Sequence, residues 1–285
     1  MLSDHNTFAF LNDDFLPLEG AFLHVSDLAI QRGYGVFDFF KVQENQPLFL
    51  DQYLNRFYGS ALLMDLEVPL TEEALKATIE RLIQMNGLPE SGIKMILTGG
   101  YSANGYEPAA PNLIITQQPL TLPSPEQIDA GLRIITHDYV RELPRAKTIN
   151  YSMGIRLLQQ VKAQQADDVL YHRGGVVTEF PRSNFFLVTK DHTVLTPDKD
   201  VLLGVTRRNV LELAGRHYQM QEGTVTLEDI GRAREAFMTS TTKRVLPIVQ
   251  VNGAPVGTGK PGPVTMHLLQ ELRALEEAQL KAKPD

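Results

Sequence analysis

Cysteine is absent from the 285 residues, which removes disulfides and thiolate metal ligands and fits a reducing compartment. No stretch approaches the roughly 18 consecutive apolar residues of a membrane span. The opening Met1-Leu2-Ser3-Asp4-His5-Asn6 has neither a basic nor an apolar leader region. Long basic runs are missing too, and 27 Lys+Arg against 34 Asp+Glu give a formal charge of −7. Nucleic acid and anionic membranes are therefore poor partners, although a local basic pocket stays open. A soluble cytoplasmic protein, without a metal site, is the expectation.

What is present points to a folded enzyme-sized chain. Hydrophobic residues make up 43% and charged residues 21%, enough for a sizeable core, and the length suggests about two domains of ~150 residues each. Phe8 to Leu16 reads as a hairpin turning at Asn12-Asp13-Asp14, and Val36 to Val42 as a strand followed by a turn at Glu44-Asn45-Gln46. Apolar residues at Tyr53, Leu54, Phe57, Ala61 and Leu62 give Asp51–Leu63 a helical period. Thr71 opens a second helix with a spacing close to a capping box, and Asn86-Gly87 stops it. Ile93–Thr98 and Asn112–Thr116 complete a small α+β unit as strands.

Gln117 to Gln127 holds three prolines and no periodicity, so it reads as a linker, dividing the chain into 1–117, 118–127 and 128–285. Beyond it come a strand at Leu132–Thr136, a helix over Ser152–Gln165, and β-hairpin material from Val169 to Leu195 broken at Arg173-Gly174-Gly175. A helix over Thr206–Gly215, strands at Ala236–Thr239 and Val245–Val251, and a last helix from Pro263 follow, with a frayed tail over Leu280–Asp285. The loose alternation predicts a mixed sheet rather than a doubly wound one, and an α+β fold class overall.

Four sites carry possible chemistry. Lys147 stands in a polar turn, Lys147-Thr148-Ile149-Asn150-Tyr151, close after Arg145. An amine beside positive charge in a partly dry pocket becomes nucleophilic, while the alternative is a solvated turn lysine. Glu179 interrupts an apolar run, where a carboxylate is costly unless partnered, either by Arg182 or by a ring N–H that it holds in place. Gly204-Val205-Thr206-Arg207 opens a helix whose first N–H groups and Thr206 hydroxyl make an anion cup, or only an ordinary cap. Thr239-Ser240-Thr241-Thr242 offers hydroxyls at a strand end. One amine, one carboxylate and two phosphate-type cups are the parts needed to hold pyridoxal phosphate.

In that order these motifs, over roughly residues 5 to 275, resemble the fold-type IV pyridoxal-phosphate enzymes: branched-chain aminotransferases, D-amino acid aminotransferases and aminodeoxychorismate lyases. The resemblance implies a small α+β N-terminal domain and a larger, partly barrel-like mixed-sheet domain with the active site between them, as in D-amino acid aminotransferases. It further implies a homodimer in which the partner's small-domain loop closes each site. Lys147 resembles the Schiff-base lysine, Tyr151 the contact to the ring hydroxyl, and Glu179 the pyridine partner. Val205, Thr206 and Thr241 are similar to the phosphate contacts. In Arg32-Gly33-Tyr34-Gly35-Val36-Phe37-Asp38 and Arg56 with Ser60-Ala61 the small-domain motifs are matched, Arg56 being the phosphate arginine.

Departures concern the substrate. The Arg-x-His trap of D-amino acid enzymes is missing from Thr98-Gly99-Gly100-Tyr101, and where branched-chain enzymes carry Tyr-x-Arg this chain has Gly92-Ile93-Lys94. Lys94 keeps a charge but loses the bidentate fork. Arg32, Tyr34, Lys94, Arg182 and Thr242 are the residues offered to the substrate. A D-amino acid transaminase with an atypical carboxylate site is the first reading, accepting 2-oxoglutarate or pyruvate. An L-branched-chain transaminase, an aminodeoxychorismate lyase and a non-catalytic binding protein are the alternatives.

Overall fold

The computed structural model describes residues 7–282, so Met1–Asn6 and the end of the expected frayed tail, Lys283-Pro284-Asp285, lie outside the described residues. Chain contacts group the rest into two compact units: residues up to Thr121 with Ala146–Asn150, and Leu122–Arg145 with Tyr151–Lys281.

The first unit comprises β1 (Phe8–Leu11), β2 (Asp14–Pro17), α1 (Leu28–Arg32), β3 (Gly35–Gln43), β4 (Gln46–Pro47), α2 (Leu50–Leu62), α3 (Glu72–Asn86), β5 (Ser91–Thr98) and β6 (Leu113–Pro119). Its strands form one antiparallel sheet in the order β2-β1-β6-β5-β3-β4. Glu44 and Asn45, both with left-handed φ (51° and 60°), close the β3–β4 hairpin at the expected place. Side chains alternate across the sheet. Val36, Asp38, Phe40 and Val42 form a buried face on which α2 packs, Tyr53 meeting Phe40 at 5.7 Å between ring centroids. Phe37 and Phe39 stand on the opposite face, Phe39 directly across from Lys94. In α3, Leu75, Ile79, Leu82 and Ile83 are buried at the expected helical spacing, each worth roughly 1.5–3 kcal/mol on burial. Thr71 caps it by accepting from the Ala74 N–H at 3.2 Å, but Ala74 cannot return a bond, so no capping box forms.

The second unit comprises α4 (Pro125–Ala130), β7 (Leu132–Asp138), α5 (Ser152–Arg156), α6 (Leu158–Ala163), β8 (Asp168–Arg173), β9 (Val176–Val177), β10 (Asn184–Val188), β11 (Val194–Pro197), α7 (Val205–Ala214), β12 (Met220–Gly223), α8 (Leu227–Arg232), β13 (Glu235–Ser240), β14 (Arg244–Val251), β15 (Ala254–Pro255) and α9 (Pro263–Lys281). Its nine-stranded sheet runs β12-β11-β10-β13-β14-β7-β8-β9, with β15 on β14. Three pairings are parallel (β11–β12, β14–β7, β7–β8) and the rest antiparallel, so the sheet is mixed. The Val177 N–H reaches the Val225 carbonyl at 2.8 Å and Val176 bridges Thr226, just beyond β12. One edge of the sheet is thus tied to the chain leaving the other, which curls it into a partial barrel. Aromatic and branched residues such as Phe185, Phe186, Phe237 and Ile248 fill its core together with α7 and α9. The Glu235 carboxylate accepts from the Val264 and Thr265 N–H groups (3.1 and 2.8 Å) and caps α9 from the sheet.

Two stretches differ from expectation. The linker run Gln117–Gln127 is structured at both ends: β6 continues through Pro119, and α4 starts at Pro125 behind a complete Ser124–Gln127 capping box, while residues 120–124 belong to neither element. Pro125 occupies the first helical position, where proline is preorganised rather than disruptive. The helix expected over Ser152–Gln165 is split at Leu157, where ψ opens to −9°. Only Leu157 and Val161 of its apolar residues are buried, while Ile155 and Leu158 face outward, so a single short stripe supports it.

Candidate active site

Lys147 is set by an added strand. The Phe37 N–H donates to the Lys147 carbonyl at 2.9 Å, the Ile149 N–H donates to Gly35, and Thr148 bridges Val36. The Lys147 N–H donates to the buried Ser60 hydroxyl on α2 at 3.1 Å. Anchored on both sides, the half-buried side chain carries its Nζ to 4.5 Å from the centroid of the Phe37 ring. Lys94 approaches the same ring, its Nζ 5.4 Å from the centroid. Arg145, expected to lend Lys147 its charge, is exposed and donates to the Asp198 carbonyl at 3.0 Å. Asn150 is exposed, and Tyr151 is half-buried at the start of α5.

Arg56 projects from α2 onto β3, where its Nε meets Asp38 Oδ2 at 2.9 Å and a terminal nitrogen meets Oδ1. Asp38 is fully buried, and the Arg56 guanidinium also lies 5.2 Å from the Tyr53 ring centroid. This fork fixes the guanidinium plane as a bidentate pair does.

Glu179 is 4% exposed and is held on both oxygens. Arg141 donates to Oε1 through Nε (2.9 Å) and a terminal nitrogen (2.8 Å). The Leu202 N–H donates to Oε2 at 2.9 Å, and the Asn184 amide lies 3.4 Å from it. The ion-pair partner of Glu179 is therefore Arg141 and not Arg182, which is exposed. Buried beside this pair, the Tyr171 hydroxyl is pushed well above its ordinary pKa, chiefly by loss of solvent.

At α7 the residue before the first turn is Gly204, and no side chain caps the helix. A β-carbon at Gly204 would lie 2.2 Å from the Asn184 amide oxygen, so only glycine lets the turn come this close. Val205 and Thr206 are buried there with their N–H groups at the positive end of the helix. Arg207 turns the other way, to the Pro197 carbonyl (2.9 Å) and Glu222 (2.7 Å), as a structural residue. Where β13 ends, the buried Thr239 and Ser240 hydroxyls have no hydrogen-bond partner, and half-buried Thr241 and Thr242 follow. Orphaned hydroxyls, an uncapped helix start, a buried carboxylate and a placed amine are the donor set that pyridoxal phosphate requires.

The residues offered to the substrate are less uniform. Arg32 ends α1, exposed, with its guanidinium on the Gln31 carbonyl at 2.9 Å. Tyr34 donates its hydroxyl to the Met64 carbonyl, and burial, then Asp65, raises its pKa. Asp27, fully buried, holds the loop that carries both by accepting from Ala29 N–H (2.8 Å), the Thr98 hydroxyl and the Asn112 amide (both 2.7 Å). Asp27 and Arg141 are absent from the residues singled out by sequence, and Ser60 and Phe37 appear there only as members of the small-domain motifs. Asp27 alone carries a local signal, an acidic residue one position ahead of Leu28 and a helical turn.

The family model for amino-transferase class IV matches residues 35–251. A D-alanine aminotransferase of Bacillus licheniformis is 29% identical over 258 residues, covering 87% of this chain and 90% of its own length. A putative branched-chain-amino-acid aminotransferase of Methanocaldococcus jannaschii is 26% identical over 278 residues, covering 93% and 94%. Among solved structures, a T.th. branched-chain amino acid aminotransferase with pyridoxamine 5'-phosphate superposes with a TM-score of 0.89 at 26% identity, covering 95% of each chain. The chain belongs to the class IV aminotransferases, pyridoxal-phosphate-dependent enzymes of the two-domain fold-type IV architecture.

Proposed function

We propose that this enzyme is a D-amino acid transaminase with an atypical carboxylate site, working with 2-oxoglutarate or pyruvate as acceptor. One observation carries the reading. A β-carbon at Gly92 would lie 2.0 Å from Cζ of Phe39, so the Phe39 ring fills the place that a tyrosine at 92 would need. The Tyr-x-Arg arrangement of branched-chain enzymes is thereby replaced by an aromatic ring from the neighbouring strand and by Lys94. The likeness to D-alanine aminotransferases at 28–29% identity supports the same reading. An L-branched-chain activity is the second reading, favoured by the TM-score of 0.89 to the T.th. branched-chain enzyme.

Bound pyridoxal phosphate supplies an electrophilic carbonyl and an electron sink. Lys147 would hold the cofactor through its Nζ and would move the proton at the substrate α-carbon. The Glu179 carboxylate would accept the ring N–H, with Arg141 orienting that carboxylate. Tyr151 would donate to the ring hydroxyl oxygen, and Arg56, Val205, Thr206 and Thr241 would hold the phosphate. Arg32, Tyr34, Lys94, Arg182 and Thr242 are the residues offered to the substrate, Lys94 and Arg32 to its carboxylate. The enzyme works as a cytoplasmic homodimer, a reading supported by the absence of cysteine and by the family resemblance.

The test is an amino-donor screen of D- and L-alanine, glutamate and leucine against 2-oxoglutarate and pyruvate. Turnover of the D-donors well above their L-forms is expected. Preference for L-leucine or L-glutamate overturns the reading in favour of the second.

A further inference from the structure

At the far end of α7 from its glycine start, three potential metal ligands from two distant stretches converge. The chain leaves the helix through a tight turn, in which the His217 and Tyr218 N–H groups both bond the Ala214 carbonyl (3.0 and 2.8 Å). Across from this turn, α9 presents His267 and Glu271 one helical turn apart. His217 Nε2 lies 3.4 Å from Glu271 Oε2, His267 Nε2 lies 3.9 Å from Oε1, and the ligand atoms of all three fall within 4.8 Å of one another. Among the described residues this is the one group of three or more such side chains close enough to share an ion.

We propose that His217, His267 and Glu271 form a binding site for a first-row divalent cation of borderline character, zinc being the reference ion. Two imidazole nitrogens and one carboxylate, without thiolate, suit zinc, nickel or copper rather than magnesium or calcium. Ligands about 2.0–2.2 Å from a tetrahedral zinc stand roughly 3.3–3.5 Å apart, so the observed cluster needs about 1 Å of side-chain closure. The outer contact is already present. The Tyr218 hydroxyl sits 2.6 Å from His267 Nδ1, which assigns Nε2 to the cluster and fixes the ring, as groups behind metal-bound histidines do. All three ligand side chains are 32–42% exposed, so an ion can reach them from solvent, with water completing the coordination.

An ion here would staple the turn after α7 to α9, helices that already pack together. It would lock the end of the helix opposite the proposed phosphate cup while taking no part in the amino transfer. The site rests on its own geometry and stands or falls independently of the substrate assignment.

The experiment titrates the cofactor-loaded enzyme with zinc chloride against a chromophoric chelator, alongside His217→Ala, His267→Gln, Glu271→Gln and Tyr218→Phe. Pyridoxal phosphate itself chelates metals, so the difference between wild type and variants is the readout, and cobalt absorption reports the ligand set. One zinc per chain in the wild type is expected, weakened at least tenfold in each ligand variant and about tenfold in Tyr218→Phe, within the range for lost outer contacts. Zinc should also raise the melting temperature of wild type and not of His217→Ala. Visible absorbance of the cofactor and transaminase activity should be retained in all four, which certifies their folding. Absence of binding at about 100 μM zinc, or equal binding by wild type and the three ligand variants, would overturn the site and leave a hydrogen-bonded histidine cluster.

Discussion

Phe39 lays its ring over Gly92 on the adjacent strand, so that a β-carbon at 92 would come within 2.9 Å of three of its ring carbons. Glycine and phenylalanine are here one packing unit, the ring covering a backbone that has no side chain of its own. Gly92→Ala should therefore destabilise the protein by about 1–3 kcal/mol, the usual cost of overpacking. The double variant Gly92→Ala/Phe39→Ala should recover part of that loss relative to the sum of the singles. Denaturant midpoints measure it, and strict additivity would show that the two residues do not share the space.

Lys147 is anchored through its backbone to Ser60, Phe37 and β3. Lys147→Ala should abolish turnover and remove the visible absorbance of the covalently held cofactor while leaving the circular dichroism unchanged. The exposed Lys162 and Lys190 serve as controls. Retention of both turnover and visible absorbance in Lys147→Ala would remove it from its role.

The buried Glu179–Arg141 pair separates chemistry from stability. Glu179→Gln keeps its shape but loses a charge-assisted bond, costing about 1.5–3 kcal/mol, or roughly ten- to a hundredfold in half-reaction rate. Cofactor affinity should change far less. Arg141→Ala instead strands a buried carboxylate, and losing one partner of a buried pair costs about 3–5 kcal/mol of folding stability. Stopped-flow half-reactions and thermal unfolding read the two effects separately. Wild-type half-reaction rates in Glu179→Gln would mean that the carboxylate serves structure alone.

Lys94 and Lys147 share the Phe37 ring, which keeps a second ammonium near the proposed reactive amine. Lys94→Ala should raise KM for carboxylate substrates by about tenfold or more, the loss expected for a charged hydrogen bond of about 1.5–3 kcal/mol, whereas Lys94→Arg should be tolerated. Arg32→Ala should raise KM for dicarboxylic substrates more than for alanine. Unchanged steady-state kinetics in both alanine variants would direct the search to Arg182 or to the backbone amides of Gly99-Gly100.

Much of the fold was legible because local physics writes it into short stretches. The buried stripe of α3, the capping threonine and the Gly87 stop, and the alternation along β3 all arise within a few residues of one another. Lys147, Glu179 and the Gly204 helix start stand out as candidates for the same reason: each is a chemical anomaly against its immediate neighbours. The Ser124-Pro125 start of α4 is not legible locally, because a proline that begins a helix and one that breaks a chain look alike until the Gln127 side chain is seen to close the capping box.

The sequence by itself determined the order of elements, the mixed character of the larger sheet, and the motif order of a pyridoxal-phosphate enzyme. Only the tertiary structure decided which residues serve each other. Glu179 meets Arg141 from 38 positions away, Tyr218 meets His267 from 49, and Phe39 covers Gly92 from another strand. Periodicity reports which face of one element is buried, whereas partners across elements depend on strand register, sheet curvature and helix packing. Those are set by the burial of the whole core at once, and no local run of residues records them.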